Sequence, residues 1–105
     1  MKMRYVIEED GALILKPEGE IDHHAAQSLL ASMGTLIDTR RPMSVTLDFS
    51  GVGFMDSSGI AVILNCYRRV SEFGGVMRVI SVAGQARRVL NTAGLERLVS
   101  ISYEE

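Results

Sequence analysis

Val45-Thr46-Leu47-Asp48-Phe49-Ser50 alternates apolar and polar residues, and Gly51-Val52-Gly53-Phe54-Met55-Asp56-Ser57-Ser58-Gly59 then leads into Ile60, Ile63, Leu64, Tyr67 and Val70 at helical spacing. A period of two marks a strand covered on one face, and apolar residues three and four apart mark a helix. Gly51 to Met55 reads as a tight passage between the two. The helix is expected from about Ser57 to Phe73, with Gly74-Gly75 as its stop and Val76 to Ile80 as the next strand. Strand, helix, strand is a βαβ unit, so its strands should run parallel with a right-handed crossover.

Upstream, Ala25, Leu29, Leu30, Met33, Leu36 and Ile37 predict a helix from His23 to about Asp38, N-capped by Asp22 and ended by Arg40-Arg41-Pro42. Before it, Arg4 to Ile7 and Ala12 to Lys16 are β-prone runs around Glu8-Glu9-Asp10-Gly11, the composition of a hairpin turn. Downstream, Gln85 to Ala93 reads as a third helix capped by Gly94, and Leu98 to Ser102 as a short edge strand. The expected fold is α/β, in the order β-β-α-β-α-β-α-β: a mixed sheet of about five strands with three helices mainly on one face. Loops at the carboxyl ends of parallel strands share one rim, where ligands and partners of such sheets dock. Asp22-His23-His24 and Asp56-Ser57-Ser58-Gly59 should therefore be neighbours.

At 105 residues and 11.5 kDa the chain reads as one domain over 1–105, with 47% apolar residues for a packed core. Eleven Lys and Arg against thirteen Asp and Glu give a net charge of −2, which argues against direct nucleic-acid binding. The single cysteine, Cys66, excludes an intrachain disulfide and a multi-cysteine metal site and fits a reducing compartment. No apolar run approaches the roughly 20 residues of a membrane span, and Met1 to Tyr5 lacks the apolar stretch of a signal peptide. A cytoplasmic location is expected.

Several chemistries fail on spacing. No run has the glycines and Lys-Ser/Thr of a phosphate-cradling loop. A nucleophile elbow around Ser57 would need glycine where Met55 stands. His23 and His24, adjacent on a helix, point about a quarter to a third of a turn apart and do not preform a metal chelate, so no metal and no cofactor is expected. The methionines read as core filler, and Arg40-Arg41, Arg68-Arg69 and Arg87-Arg88 as solvated surface.

Asp56-Ser57-Ser58-Gly59 is what remains. Asp56 can simply cap the second helix. Yet one cap does not require two serines, and Gly59 in a first turn costs roughly 1 kcal/mol relative to Ala. A small first turn on the rim would leave the Ser57 hydroxyl open to a partner's active site. Both accounts stand on the residues alone. Asp22 likewise reads as a cap or as a contact to a partner's basic residue, and His23 and His24 as exposed first-turn residues or as contacts.

Gly19-Glu20-Ile21-Asp22-His23-His24, Phe54-Met55-Asp56-Ser57-Ser58-Gly59-Ile60, Gly74-Gly75-Val76-Met77 and Val89-Leu90-Asn91-Thr92-Ala93-Gly94-Leu95 together resemble the successive landmarks of the STAS domain family. The resemblance spans nearly the whole chain and is nearest to bacterial anti-sigma factor antagonists of the sporulation and general-stress type. It implies a STAS-like sheet and a protein that is not an enzyme. It implies that Ser57 is phosphorylated by a GHKL-type serine kinase doubling as the anti-sigma factor, that the unphosphorylated form binds this partner and releases the sigma factor, and that a serine phosphatase reverses the modification. Asp22, His23, His24, Asp56, Ser57, Ser58 and Gly59 would then form the partner-binding face. The alternative is a STAS subunit or scaffold of another assembly, such as a lipid or anion transport system, without a phospho-switch.

Overall fold

A computed structural model describes residues 1–104. The hairpin forms where the turn residues place it: β1 (Lys2–Ile7) and β2 (Leu13–Ile21) are antiparallel, and Gly11 closes the turn at φ 87°, a conformation other residues adopt only with strain. Asp10 holds the same turn by accepting the Ala12 N–H at 2.9 Å. The first helix, α1 (His23–Arg40), ends at Arg41, which turns left-handed at φ 46° and donates its N–H to the Ile37 carbonyl; Pro42 cannot continue the helix.

The sheet departs from expectation in the passage after residue 48. β3 (Ser44–Asp48) runs parallel to the start of β2, pairing Leu13 with Val45 and Leu15 with Leu47. The chain then turns, with Ser50 N–H on Asp48 Oδ1 and Val52 N–H on the Phe49 carbonyl, and resumes as a further strand, β4 (Val52–Met55). β4 lies beside the far end of the same β2, pairing Gly19 with Val52 and Ile21 with Met55. A glycine within it, Gly53, another just before it, Gly51, and a length of four residues hide this strand from any period-two test. Its pairing comes from β2, which is nine residues long and reaches beyond Lys16 to Ile21. Pro17, which has no N–H to give, falls between Leu15 and Gly19, where β2 has neither β3 nor β4 as a partner.

The remaining elements follow in order: α2 (Ser58–Glu72), β5 (Val76–Val82), α3 (Gly84–Ala93), a 3-10 turn at Leu95–Arg97 and β6 (Ser100–Tyr103). Leu98, expected in the last strand, instead closes the 3-10 turn on the Leu95 carbonyl, so β6 starts later. The path across the sheet is β1-β2-β3-β5-β6 with β4 continuing beside β2: among the described residues, six strands, mixed, with three helices.

Leu13, Leu15, Val45, Leu47 and Val79 on the strands meet Leu29, Met33, Ile37, Val62, Ile63 and Val70 on α1 and α2, all fully or nearly fully buried. Each such side chain contributes about 1.5–3 kcal/mol of hydrophobic stabilisation. Met33, Met55 and Met77 fill this core as expected, whereas Met1 and Met43 are exposed, and Cys66 donates its thiol to Met33 Sδ at 3.6 Å. Burial pushes the Cys66 thiol up to about 12, with the charge of Arg69 opposing. The arginine pairs are more engaged than a solvated surface requires. Arg69 bonds Asp38 at 2.6 Å and Asn65 at 2.9 Å, Arg41 lies over the Phe73 ring, and Arg87 lies over that of Tyr103.

Candidate functional site

β2 and β4 end level with each other, and Asp56 donates its N–H to the Ile21 carbonyl at 3.1 Å, which ties the two following turns together. Asp22 and Asp56 thus leave adjacent strand ends, as the shared-rim argument expected. Each carboxylate satisfies a first-turn amide of its own helix. Asp22 Oδ1 accepts from Ala25 N–H at 2.8 Å, and Asp56 Oδ1 accepts from Ser58 N–H at 2.7 Å. Asp22 is therefore the N-cap of α1, whereas the N-cap of α2 is Ser57 and Asp56, one residue before it, closes a turn onto the first helical amide. Neither bond forbids a second role, because a carboxylate has further acceptor sites.

Ser57 stands between Asp56 and the helix at φ −61° and ψ −17°, exposed, and its side chain makes no capping bond. Its hydroxyl is left facing solvent. Ser58 is half-buried, with its N–H already on Asp56, and His23 and His24 are exposed on the first turn of α1, the former 3.5 Å from the Gln27 amide. Gly59 is a different case: it is buried, and a Cβ there would sit 2.4 Å from Cγ and Sδ of Met55, itself fully buried. The glycine that looked like a concession to a visitor is required by packing of α2 on β4. It lies behind the exposed rim rather than on it.

Gln85, at the start of α3, is the residue that sequence reasoning missed. Its amide accepts the Met55 N–H at 2.9 Å and donates to the Met55 carbonyl at 2.8 Å. A side chain thereby takes the place of a neighbouring strand on β4, the backbone just before Asp56 and Ser57. No local pattern announces such a bond, since its partner is 30 residues away in sequence. Next to it, α2 and α3 leave a shallow depression of about 410 Å³, lined by Ser57, Ile60, Arg88, Val89, Thr92 and Ala93.

The fold is thus a small α/β domain whose sheet rim presents two helix starts, each with an aspartate on a first-turn amide, and one free serine hydroxyl. The sequence matches the STAS domain family over residues 5–105, and the chain belongs to that family. An anti-sigma F factor antagonist from Paenibacillus polymyxa is 35% identical over 95 residues, covering 90% of this chain and 81% of that protein. The fold is that of the anti-sigma factor antagonist SpoIIAA in its unphosphorylated form, with a TM-score of 0.82 at 23% identity over 95% of this chain and 87% of the other. SpoIIAA of Bacillus in its phosphorylated form superposes with a TM-score of 0.73 at 23% identity, over 95% and 90% of the two chains. Among the described residues no helix is long and apolar enough to cross a membrane.

Proposed function

We propose that this chain is an anti-sigma factor antagonist whose binding to its partner is controlled by phosphorylation of Ser57. The unphosphorylated form binds a cytoplasmic anti-sigma factor with GHKL-type serine kinase activity and so frees the sigma factor; a serine phosphatase resets the cycle. The observation that carries this reading is the Ser57 hydroxyl, exposed and free of any internal bond on the rim beside Asp22. The names of the related proteins support the antagonist role, and the phosphorylated SpoIIAA supports the modification. In the transfer, Ser57 Oγ forms a bond to the γ-phosphorus of ATP as the bond to the bridging oxygen breaks. ADP leaves and the hydroxyl proton is released. This chain is the substrate of that step, and the catalytic groups belong to the partner.

Incubation with the partner kinase and ATP should add one phosphate to the wild-type mass and none to Ser57→Ala. A phosphate that maps to Ser58, or a Ser57→Ala chain modified as fully as wild type, overturns the assignment.

Asp22 offers a separate check. Asn caps helices about as well as Asp, so Asp22→Asn should keep the bond to Ala25 and change the melting temperature little. It removes one charge from the rim, and partner affinity should fall by about two- to five-fold in titration calorimetry at low salt. Lost stability with unchanged affinity would leave Asp22 a cap only.

A further inference from the structure

α3 carries Arg88 to the lip of the depression that begins at Ser57. Arg88 and Thr92 are four residues apart, as are Val89 and Ala93, so two adjacent rows of the helix face the same hollow. Ile60, Val89 and Ala93 make its wall apolar, and of the lining residues Arg88 alone is charged. Arg41, Arg69 and Arg87 are each held by a ring or a carboxylate, whereas Arg88 forms neither kind of contact among the described residues. A cation without a counter-ion thus shares a hollow with a hydroxyl that has no internal partner.

On the reading of Ser57 as the phosphoacceptor, we propose that Arg88 is the internal counter-ion of the phosphorylated serine. Its guanidinium spans from α3 to the phosphate just before α2 and roofs the apolar wall between them. The planar fork of donors matches two phosphate oxygens, which a lysine ammonium cannot do. Asp56, next to Ser57 and already on the Ser58 N–H, adds a like charge to the dianion and leaves Arg88 as the compensating group on that side. Phosphorylation then changes the shape of the rim as well as its charge: the hollow open in the free serine form is covered by its own arginine.

The test uses the full chain with phosphoserine encoded at position 57, so that occupancy depends on no kinase. The phosphate is titrated by phosphorus NMR in the wild-type background, in Arg88→Gln and in Arg88→Lys. A phosphoserine has its second pKa at about 6, and a neighbouring guanidinium favours the dianion and lowers that value. Arg88→Gln should therefore titrate about half a unit higher than wild type, with Arg88→Lys between them and the gap closing as salt is added. Asp22, Asp56, His23 and His24 are common to all three proteins, so the difference isolates Arg88. Equal midpoints for wild type and Arg88→Gln overturn the proposal. Failure of Ser57 as a natural phosphoacceptor would appear elsewhere, as the missing mass gain with the kinase, and leaves this titration intact.

Discussion

Gln85→Glu is expected to cost about 2–3 kcal/mol of stability, a fall of roughly 10–20 °C in melting temperature for a domain of this size. The wild-type amide donates to the Met55 carbonyl and accepts the Met55 N–H, and Met55 is fully buried, so water does not readily replace either bond. Exchanging the amide nitrogen for a carboxylate oxygen sets two acceptors against each other at a separation now bridged by hydrogen at 2.8 Å. The variant's carboxyl can repair the contact only when protonated, so its folded pKa must rise. A carboxyl raised in this way lends stability below its unfolded value of about 4.3 and loses it as pH climbs through the folded value. Thermal melts at pH near 4 and near 7 should therefore show a deficit against wild type that is smaller in acid. Gln85→Ala, which also leaves the Met55 groups unpaired, should lose stability without that pH dependence. Melts matching wild type would mean that β4 is held by β2 alone.

The second large effect lies in binding. Phosphate on Ser57 adds about −1.5 to −2 charges beside Asp56, and a partner surface packed on the rim would have to desolvate them together. A penalty of roughly 3 kcal/mol weakens that complex about 100-fold. Ser57→Asp adds one charge and should bind more weakly than wild type by less than that factor, whereas Ser57→Ala should bind nearly as well as wild type. The phosphoserine and Ser57→Asp forms should remain folded, because acidic groups at the start of α2 are favoured by the helix dipole by about 0.3–1 kcal/mol, and Ser57→Ala removes no internal bond. Titration calorimetry against the nucleotide-bound kinase measures each affinity. Equal affinities of the unmodified, Asp and phosphoserine forms would remove the electrostatic switch and favour a scaffold role.

Elements with a strong period were legible in the sequence, and so was the rim they build. α1, α2 and α3 begin and end within a few residues of where caps and glycines place them, and Asp22 and Asp56 come together because strand-to-helix turns of parallel strands share an edge. β4 escaped because Gly53 interrupts the alternation of a strand only four residues long, and its identity as a strand resides in β2. Gly59 was visible as an anomaly but open to the wrong cause, since only the position of Met55 reveals that the missing Cβ makes room for a neighbour. Gln85 is the extreme case. A polar residue in a first helical turn is unremarkable in sequence, and its bond to β4 exists only once α3 has been folded against the strand.

The interval around Pro17 gives the molecule a boundary between two hydrogen-bonded zippers. Leu13 to Leu15 close with β3 and Gly19 to Ile21 close with β4, while Lys16 to Glu18 between them pair with β1 alone; the register shift at Gly19/Glu20 lies within the β4 ladder. Openings spread through a sheet along contiguous bonds, so an interval paired on one edge only interrupts the path from one of these ladders to the other. The short upper zipper brings its own core residues, Ile21 and Met55, and is clamped at Met55 by the Gln85 side chain. The turns that carry Asp22 and Ser57 are thus anchored by a ladder distinct from the one beneath the rest of the sheet.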